Sequence, residues 1–378
     1  MQRKPLIALL TNNDDDVYCF RKELIEALVN QGYDMLISCP YGEKMELMQH
    51  IPYIYDNPEI DRRGTNILRD IKLIFHYVKL LKKYKPDVIL TYTAKPNTYA
   101  TLVARIEGIP VINNVTGFGS VLKEKGIKKK VIMGLFRYAY RGSACIMFQN
   151  STNMELAKNL GMVKGDYKLI PGSGVNVERY ALLEYPEGGN GKKGETIVFN
   201  YIGRILKDKG VDDYIEVAKR IKQRYPFTEF NLIGFVEPTE MHYRYELEEL
   251  ERNGVVIYHG SQKDVRPYIQ KSHAIIHPSV YGEGMSNVLL ENASSGRPII
   301  TTNNPGCQET VLDGESGYIY QGSDIDELEQ TVEKFLELNN NVRREMGICG
   351  RTYVEKNFSR EKVINEYIDT IRTILGES

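Results

Sequence analysis

The sequence predicts two doubly wound α/β domains. Short apolar runs alternate with amphipathic stretches through the first half of the chain, and the alternation restarts after a polar, glycine-rich segment at 184–195. Strands that alternate with helices favour right-handed βαβ crossovers, and therefore parallel sheets that are covered on both faces. At 378 residues the chain is long enough for two such domains, each with its own core.

The first domain is predicted over residues 1–183. Amphipathic stretches at 17–31, 66–84, 96–107 and 151–160 predict its helices. Five short apolar runs predict its strands: Leu6–Leu10, Met35–Cys39, Val88–Thr91, Val111–Asn113 and Cys145–Phe148.

The second domain is predicted over residues 184–358. Its strands are Ile197–Ile202, Phe230–Ile233, Val255–Tyr258, Ala274–Ile276 and Pro298–Thr301. Helices are predicted at 211–223, 243–253, 263–271, 286–296, 325–338 and 341–356, and a last one at Arg360–Leu375. Doubly wound domains bind ligands at the carboxyl ends of their strands, so we expect a ligand crevice between the two domains.

Composition narrows the class of protein. Hydrophobic residues make up 42% of the chain and the net charge is −1, which gives no argument for nucleic-acid binding. The five cysteines form no Cys-x-x-Cys pair, which favours free thiols in a reducing cytosol. No apolar run reaches about 18 residues, so no membrane span is expected. The apolar run Pro5–Thr11, after the basic Met1–Lys4, is only as long as a strand, so no signal peptide is expected either.

Two glutamates, Glu283 and Glu291, bracket a glycine-containing loop and the start of a helix. Gly284 allows close backbone approach, and Ser286-Asn287 predict the helix N-cap. A helix N-terminus suits an anion such as a diphosphate, while carboxylates accept hydrogen bonds from sugar hydroxyls. A nucleotide sugar meets both requirements.

A basic loop, Gly203–Gly210, follows the first strand of the second domain. Arg204 can hold a phosphate through two nitrogens, and Lys209 adds a mobile charge. The alternative is a solvated surface loop. Because the loop lies at a strand end like that of Glu283, we favour phosphate binding.

These segments resemble the retaining GT-B glycosyltransferases of glycosyltransferase family four. The resemblance covers nearly the whole chain. It rests on Gly203-Arg204 with Lys209-Gly210, His259-Gly260 with Asp264-Val265, Pro278-Ser279 with Glu283-Gly284 and Glu291, Gly296–Ile300, and Pro305-Gly306 with Glu309. It implies a GT-B fold of two Rossmann-like domains facing a central cleft, with residues 359–378 crossing back to the first domain.

The resemblance also implies roles for individual residues. Arg204 and Lys209 would bind the donor diphosphate, Glu283 the donor sugar and Glu291 the ribose. The whole donor site is then expected to comprise Gly203, Arg204, Lys209, His259, Val265, Glu283, Gly284, Met285, Ser286, Asn287 and Glu291. Retention by front-face attack requires stabilisation of the leaving group, which these cations and the helix N-terminus would supply without a metal or another cofactor. The expected catalytic residues are Glu283, Arg204, Lys209 and Lys95.

The acceptor half departs from the family after its first strand. The loop Thr11–Asp16 contains no glycine and ends in three aspartates. Asp14–Asp16 predict either an acidic cap on a helix at Val17, which we favour, or a metal site. We assign Asp16 to the acceptor site.

A second departure lies after the Val88 strand, where many relatives have a histidine and this chain has Lys95. Lys95 is either a helix-start lysine or a phosphate ligand, and Asn97 either a helix cap or a sugar ligand. Thr116 and Gly117, in the segment 113–120, are further acceptor candidates. Both runs resemble a subgroup that builds bacterial capsule, O-antigen and glycoprotein glycans on polyprenyl diphosphate carriers.

The expected partners are therefore a nucleotide sugar, for which we favour a UDP-sugar, and a polyprenyl-diphosphate-linked glycan. A basic cluster, Lys123–Lys130, leads into an apolar stretch, Val131–Arg141. It predicts either a core helix with a solvated basic end or, as we prefer, peripheral association with the inner face of the cell membrane.

Two other functions remain open. A non-hydrolysing UDP-N-acetylglucosamine epimerase has a similar scaffold, but the sequence shows no histidine–carboxylate set for proton removal. A non-catalytic nucleotide-sugar-binding subunit is the other alternative.

Overall fold

A computed structural model describes residues 3–61, 66–118, 126–188 and 195–377, without the side chains of Ile127 and Lys128. The chain forms two compact units, Met1–Ser173 with Glu361–Ser378, and Gly174–Arg360. Each unit contains one parallel sheet. No helix within the described ranges combines the length and apolar character needed to cross a membrane.

The first unit has seven strands in the order β3-β2-β1-β4-β5-β6-β7. They are β1 Leu6–Leu10, β2 Asp34–Ser38, β3 Ile54–Asp56, β4 Val88–Tyr92, β5 Val111–Val115, β6 Cys145–Phe148 and β7 Asp166–Leu169. The order reverses between β1 and β4, which creates a switch point at the carboxyl ends of these strands.

Five helices belong to the first half of the chain: α1 Asp14–Asn30, α2 Ile67–Tyr84, α3 Thr101–Glu107, α4 Gly126–Tyr140 and α5 Ser151–Asn159. Buried leucines of α1 pack with Ile7 and Leu9 of β1, whereas α2 and α3 pack with Leu6 and Ala8. Since neighbouring residues of a strand point to opposite faces, α1 covers one face of the sheet and α2 and α3 cover the other.

The second unit has six strands in the order β10-β9-β8-β11-β12-β13. They are β8 Ile197–Ile202, β9 Thr228–Ile233, β10 Ile257–Gly260, β11 Ala274–His277, β12 Ile299–Thr302 and β13 Gly317–Tyr320. The helices in the second half of the chain are α6 Val211–Arg224, α7 His242–Arg252, α8 Arg266–Lys271, α9 Asn287–Ser294, α10 Ile325–Glu337, α11 Asn340–Phe358 and α12 Arg360–Leu375. The switch point lies between β8 and β11.

The predicted fold class, two doubly wound parallel-sheet domains, is confirmed. Three strands are absent from the prediction: β3 has three residues, β7 is a polar edge strand, and β13 follows a polar turn. The boundary also differs, because residues 174–183 belong to the second unit. There the Val175 N–H donates to Phe358 O at 2.8 Å, and Arg360 N–H donates to Val175 O at 2.9 Å.

The predicted linker, 184–195, is described only in part. Tyr185 donates its hydroxyl hydrogen to His273 O at 2.7 Å, and Glu184 O accepts from Arg297 Nη2 at 2.8 Å. Its first residues are therefore packed on the second unit, and residues 189–194 lie outside the described ranges. From Glu361 onward, α12 belongs to the first unit, where Val363, Tyr367 and Ile371 pack in the same core as α1.

Candidate functional site

Two loops of the second unit are held together at its switch point. One is Gly203–Gly210, after β8, and the other is Pro278–Ser286, after β11. Val280 N–H donates to Asp208 O at 3.1 Å across the two loops. Gly210 has a φ of +76°, and a Cβ there would lie 2.1 Å from Pro278 O, so only glycine permits this approach.

Glu283 and Lys209 form an ion pair at the junction of these loops, and each side chain is only 12% exposed. Ser279 Oγ also donates to Glu283 Oε1 at 3.2 Å, and His277 Nε2 lies 3.7 Å from the same oxygen. Burial alone would raise the pKa of Glu283, but Lys209 and His277 favour the carboxylate and hold the pKa well below its usual range. Glu283 is therefore an anion at neutral pH.

Arg204 lies on the same patch as Lys209. Its Nη1 is 3.1 Å from Glu237 Oε2. The Tyr281 ring centroid is 5.4 Å from the Arg204 guanidinium carbon and 5.0 Å from Lys209 Nζ, which is cation–π range for both. The Tyr281 side chain thus contacts both predicted phosphate ligands.

The helix α9 begins where the sequence predicts, with Ser286 at the N-cap position. The Ser286 side chain does not cap the helix, because its Oγ lies 3.3 Å from His277 Nε2. Instead Ser286 N–H donates to Gly306 O at 2.7 Å. A Cβ on Gly306, whose φ is +87°, would lie 2.8 Å from the carbonyl oxygen of the buried Gly284. Asn287 Oδ1 is buried and has no hydrogen-bond partner among the described residues.

Glu291, in the second turn of α9, differs from Glu283 in its charge. Burial raises the pKa of Glu291 to about 7, although Tyr180, Arg360 and Arg179 act in the opposite direction. Near neutral pH, this carboxyl group exists in both protonation states. It can therefore donate as well as accept a hydrogen bond.

Three other predicted donor residues have different local environments. His259 Nε2 is 2.7 Å from Asn231 Oδ1, and burial lowers the pKa of the imidazole. Val265 lies just before α8, and its carbonyl oxygen accepts from Tyr268 N–H at 3.0 Å. Met285 is buried in the apolar core, so its side chain does not present a ligand surface.

His277, Glu283 and Cys307 form a group of metal-ligand type within the part of the chain that the structure describes. Their ligand atoms lie within 4.8 Å of one another. Lys209 already contacts the Glu283 carboxylate. Burial lowers the pKa of His277 and raises that of the Cys307 thiol, which keeps both groups neutral. The cation at this carboxylate is thus the Lys209 ammonium.

Comparison with known proteins assigns the family. The family model described as "Glycosyl transferase 4-like" matches residues 7–150, and the one described as "Glycosyl transferases group 1" matches residues 187–352. The chain belongs to the glycosyltransferases. Together the two matches take in most of both units.

Relatives with full-length similarity are enzymes of glycan assembly. The glycosyltransferase is 25% identical over 346 residues to the N,N'-diacetylbacillosaminyl-diphospho-undecaprenol alpha-1,3-N-acetylgalactosaminyltransferase of Campylobacter jejuni, with 88% of this chain and 89% of that protein covered. It is also 25% identical over 361 residues to the UDP-Gal:alpha-D-GlcNAc-diphosphoundecaprenol alpha-1,3-galactosyltransferase of Escherichia coli, with 92% of each covered.

A solved structure shows the same fold. Anabaena Alr3699/HepE, in complex with UDP and glucose, has a TM-score of 0.78 to this glycosyltransferase at 17% identity, with 98% of this chain and 100% of that chain covered. This likeness, together with the two parallel sheets, establishes a GT-B fold.

On the first unit of the glycosyltransferase, Lys95 lies just after β4 and is paired. Its Nζ is 2.6 Å from Asp70 Oδ1 of α2, and both side chains are largely buried. Tyr99 donates its hydroxyl hydrogen to Asp70 Oδ2 at 3.0 Å. Asp70 therefore fixes Lys95 at the carboxyl edge of the sheet.

Asn97 has a different environment from the one predicted. It lies inside a turn of π-helix, Pro96–Ala100, so it is not the helix cap that the sequence suggests. The side chain is buried, and its Nδ2 donates to Asn114 O at 2.8 Å and to the Tyr140 hydroxyl at 3.3 Å. This amide nitrogen links β5 to α4 and is not presented to a sugar.

The three aspartates lie in the first turn of α1. The helix starts at Asp14 rather than Val17, and its cap is Asn13, whose Oδ1 accepts from Asp16 N–H at 2.8 Å. The predicted capping by Asp14–Asp16 is therefore wrong, although their charge still favours the helix N-terminus. Each carboxylate has its own partner: Asp14 accepts from Lys44 N–H at 3.1 Å, Asp15 pairs with Lys44 Nζ at 2.7 Å, and Asp16 accepts from Thr11 Oγ1 at 2.7 Å.

Thr116 and Gly117 follow β5 and are half-buried, and Gly117 has a φ of +119°. The remainder of that glycine-containing segment, Gly119 and Ser120, lies outside the described residues. So does most of the predicted basic cluster. Only Lys129 and Lys130 have described side chains, and they lie near the start of α4.

The partners of both glutamates were not predicted from the sequence. No histidine–carboxylate set was expected, yet His277 and Glu283 are 3.7 Å apart. His277 was hidden as the last residue of an apolar strand, and at 2% exposed it cannot reach a substrate. The His277-Pro-Ser run before Glu283 was the available signal. No sequence signal indicated Tyr180, the hydrogen-bond partner of Glu291, because Tyr180 lies far from Glu291 in the sequence.

Proposed function

We propose that this glycosyltransferase moves a hexose or N-acetylhexosamine from a UDP-sugar to a lipid-linked glycan, with retention of the anomeric configuration, in bacterial surface glycan assembly. The observation that carries the proposal is the pairing of Glu283 with Lys209, beside Arg204, at the carboxyl ends of β8 and β11. The names of the two relatives support the acceptor class, and that of the Escherichia coli enzyme supports a UDP donor.

Arg204 and Lys209 bind the donor diphosphate in this proposal. Without donor, Lys209 is paired with Glu283, and Tyr281 lies against both cations. A diphosphate entering the patch competes for the Lys209 ammonium and leaves the Glu283 carboxylate with Ser279 and His277 as neighbours. As the sugar departs, negative charge grows on the β-phosphate, and both cations stabilise it.

The two glutamates then contact different parts of the donor. Glu283, an anion, accepts hydrogen bonds from hydroxyls of the transferred sugar. Glu291, with a pKa of about 7, can donate to and accept from the ribose hydroxyls. The cationic charge of Lys209 and Arg204 makes a metal or another cofactor unnecessary for leaving-group stabilisation.

The acceptor site belongs to the first unit. Lys95 is its cation, held by Asp70 until an acceptor phosphate competes for it. Asp16, Thr116 and Gly117 are further acceptor contacts. Because the acceptor is lipid-linked, we place the enzyme in the cytoplasm, peripherally bound to the inner face of the cell membrane.

The test is to incubate the purified protein with a panel of UDP-sugars, with and without a polyprenyl-diphosphate-linked glycan. Mass spectrometry identifies an extended glycan, and NMR of the product gives the anomeric configuration. We expect one UDP-sugar to be consumed only when acceptor is present, with an α-linked product from an α-linked donor. Epimerised sugar without acceptor would instead indicate the epimerase, and binding without turnover the non-catalytic subunit.

A further inference from the structure

The outward face of α2 is an apolar and basic stripe. Leu68, Ile71, Phe75, Lys79 and Lys82 are spaced by three or four residues, so they share one side of the helix. Leu68 is 72% exposed and Phe75 is 63% exposed. The opposite side packs into the core through the buried residues Leu73, Tyr77, Leu80 and Leu81. A row of large exposed apolar side chains on a helix marks an interaction surface.

The charge of α2 indicates what this surface binds. The helix contains five cations, Arg69, Lys72, Lys79, Lys82 and Lys83, and a single carboxylate, Asp70. Asp70 is turned towards Lys95, whereas Lys82 lies 3.8 Å from Glu107 of α3 and Arg69 lies 3.3 Å from Asp61. Within the described ranges, neither Lys72 nor Lys79 pairs with a carboxylate. Apolar side chains flanked by lysines match the interface of an anionic bilayer.

The stripe continues onto the neighbouring helices. On α3, Ile106 is 82% exposed, and on α4, Val131 and Tyr138 are each 57% exposed. Arg105 of α3 connects the two helices, because it donates to Tyr138 O at 3.3 Å and its guanidinium lies 4.5 Å from the Tyr138 ring centroid. We call this surface of α2, α3 and α4 the α2–α4 face.

The apolar and basic residues of the α2–α4 face follow one another in order along α2. Along the stripe, the apolar residues Leu68, Ile71 and Phe75 precede Lys79 and Lys82, so the apolar end is the start of α2, beside Asp70. Asp70 contacts Lys95 at the carboxyl end of β4, so the apolar end of α2 lies at the edge of the sheet where the acceptor cation is. An acceptor that remains anchored in a bilayer reaches Lys95 from this side.

We infer that the α2–α4 face docks the protein on an anionic lipid bilayer, with α2 as its main element. The purpose of docking rests on the proposed transfer to a lipid-linked glycan, whereas docking itself follows from the exposure and charge of these helices. In this arrangement Leu68, Ile71 and Phe75 enter the headgroup region, and the lysines contact the anionic headgroups.

The test is co-sedimentation of the full chain with vesicles of phosphatidylcholine alone, and of phosphatidylcholine with phosphatidylglycerol in equal parts. One variant combines Ile71→Ser with Phe75→Ser, and a second combines Lys72→Glu with Lys79→Glu. Matched controls on the second unit are Ile348→Ser with Tyr245→Ser, and Lys271→Glu with Lys356→Glu, all at exposed positions. The unfolding midpoint of each variant is compared with that of the wild type to verify folding.

We expect the wild type to bind the anionic vesicles and not the neutral ones. Each α2 variant should lose more than about tenfold in its partition constant, and the controls should match the wild type. Binding that is unchanged in both α2 variants, or equal on both kinds of vesicle, would overturn the inference. So would a concentration-dependent dimer that the α2 variants abolish while vesicle binding is absent.

A second readout separates this inference from the proposed function. Transfer to a detergent-solubilised, short-chain acceptor does not need docking, so the α2 variants should keep wild-type rates on it. The same variants should lose activity on acceptor embedded in anionic vesicles. Absence of transfer to either acceptor by the wild type would count against the proposed function, while the vesicle-binding result would still decide the docking surface.

Discussion

Lys209 is ion-paired with Glu283 across two loops that follow neighbouring strands, and neither side chain is more than 12% exposed. The pair joins a predicted phosphate ligand to a predicted sugar ligand. Removal of one partner of a buried ion pair leaves an unpaired buried charge and destabilises the folded protein. Each of these two side chains therefore stabilises the charge of the other until a ligand binds. Displacement of Glu283 from Lys209 by the donor diphosphate is the central feature of the proposed site.

The first prediction concerns Lys209. Lys209→Met should weaken UDP binding by about tenfold to a hundredfold, since it removes a charge-assisted contact to the diphosphate. It should also raise the pKa of Glu283, which Lys209 now holds low. Calorimetric titration with UDP measures the affinity.

Lys207 is the matched control for this prediction. It lies in the same loop and its side chain is exposed. Lys207→Met should bind UDP as the wild type does. Equal losses in the two variants would mean that overall loop charge, rather than Lys209 itself, attracts the nucleotide.

The second prediction concerns pH and Glu291. Burial holds its pKa at about 7 in the folded protein, above the ordinary 4.5, so the folded state keeps a proton that the unfolded state releases between these values. Its contribution to stability is therefore fully present below about pH 4.5 and is lost as the pH rises through about 7. This shift in the pKa of Glu291 corresponds to about 3 kcal/mol in the free energy of unfolding.

Glu291→Gln is neutral at every pH and tests this directly. Its unfolding temperature should fall less than that of the wild type as the pH is raised from about 5 to about 8. Thermal unfolding followed by circular dichroism at several pH values gives both slopes. Parallel curves for the two proteins would show that Glu291 titrates normally.

The third prediction concerns Lys95. Lys95→Ala should raise the KM for the acceptor by about tenfold and leave the KM for the donor unchanged, since we assign its charge to an acceptor phosphate. Steady-state kinetics with each substrate varied in turn separates the two effects. Lys164→Ala, at an exposed position of the same unit, is the control. A Lys95 variant with unchanged kinetics would leave it a structural partner of Asp70 only.

The fourth prediction concerns metals. Dialysis against EDTA should leave the transfer rate unchanged, because Lys209 supplies the positive charge at Glu283. Readdition of Mg²⁺ or Mn²⁺ should not increase the rate. A loss of activity that a metal restores would direct attention back to Asp14–Asp16, or to the group formed by His277, Glu283 and Cys307.

Much of the fold follows from local sequence patterns. The buried strands β1, β4, β8 and β11 are mainly apolar runs, and the loops after β8 and β11 contain glycines and charged residues. The short or polar edge strands β3 and β7 lack such a pattern, because only one side of each is paired.

The partners of the site residues were much harder to predict. Lys95 pairs with Asp70, 25 residues earlier, and Glu291 is surrounded by Tyr180, Arg179 and Arg360. Contacts between distant segments depend on how the elements pack, and periodicity carries no information about them. For the same reason Asn97, a polar residue after a strand end, was assigned to a ligand although the fold buries it.

The most direct measurement compares Glu283→Gln with the wild type in the UDP-sugar transfer assay. Glutamine keeps the shape of the side chain and removes its charge, so we expect at least a hundredfold lower kcat. UDP affinity should be equal to or higher than that of the wild type, because the diphosphate no longer competes with a carboxylate for Lys209. Glu315→Gln, at an exposed position of the same unit, should behave as the wild type. Transfer by Glu283→Gln at the wild-type rate would contradict the assignment of the donor site.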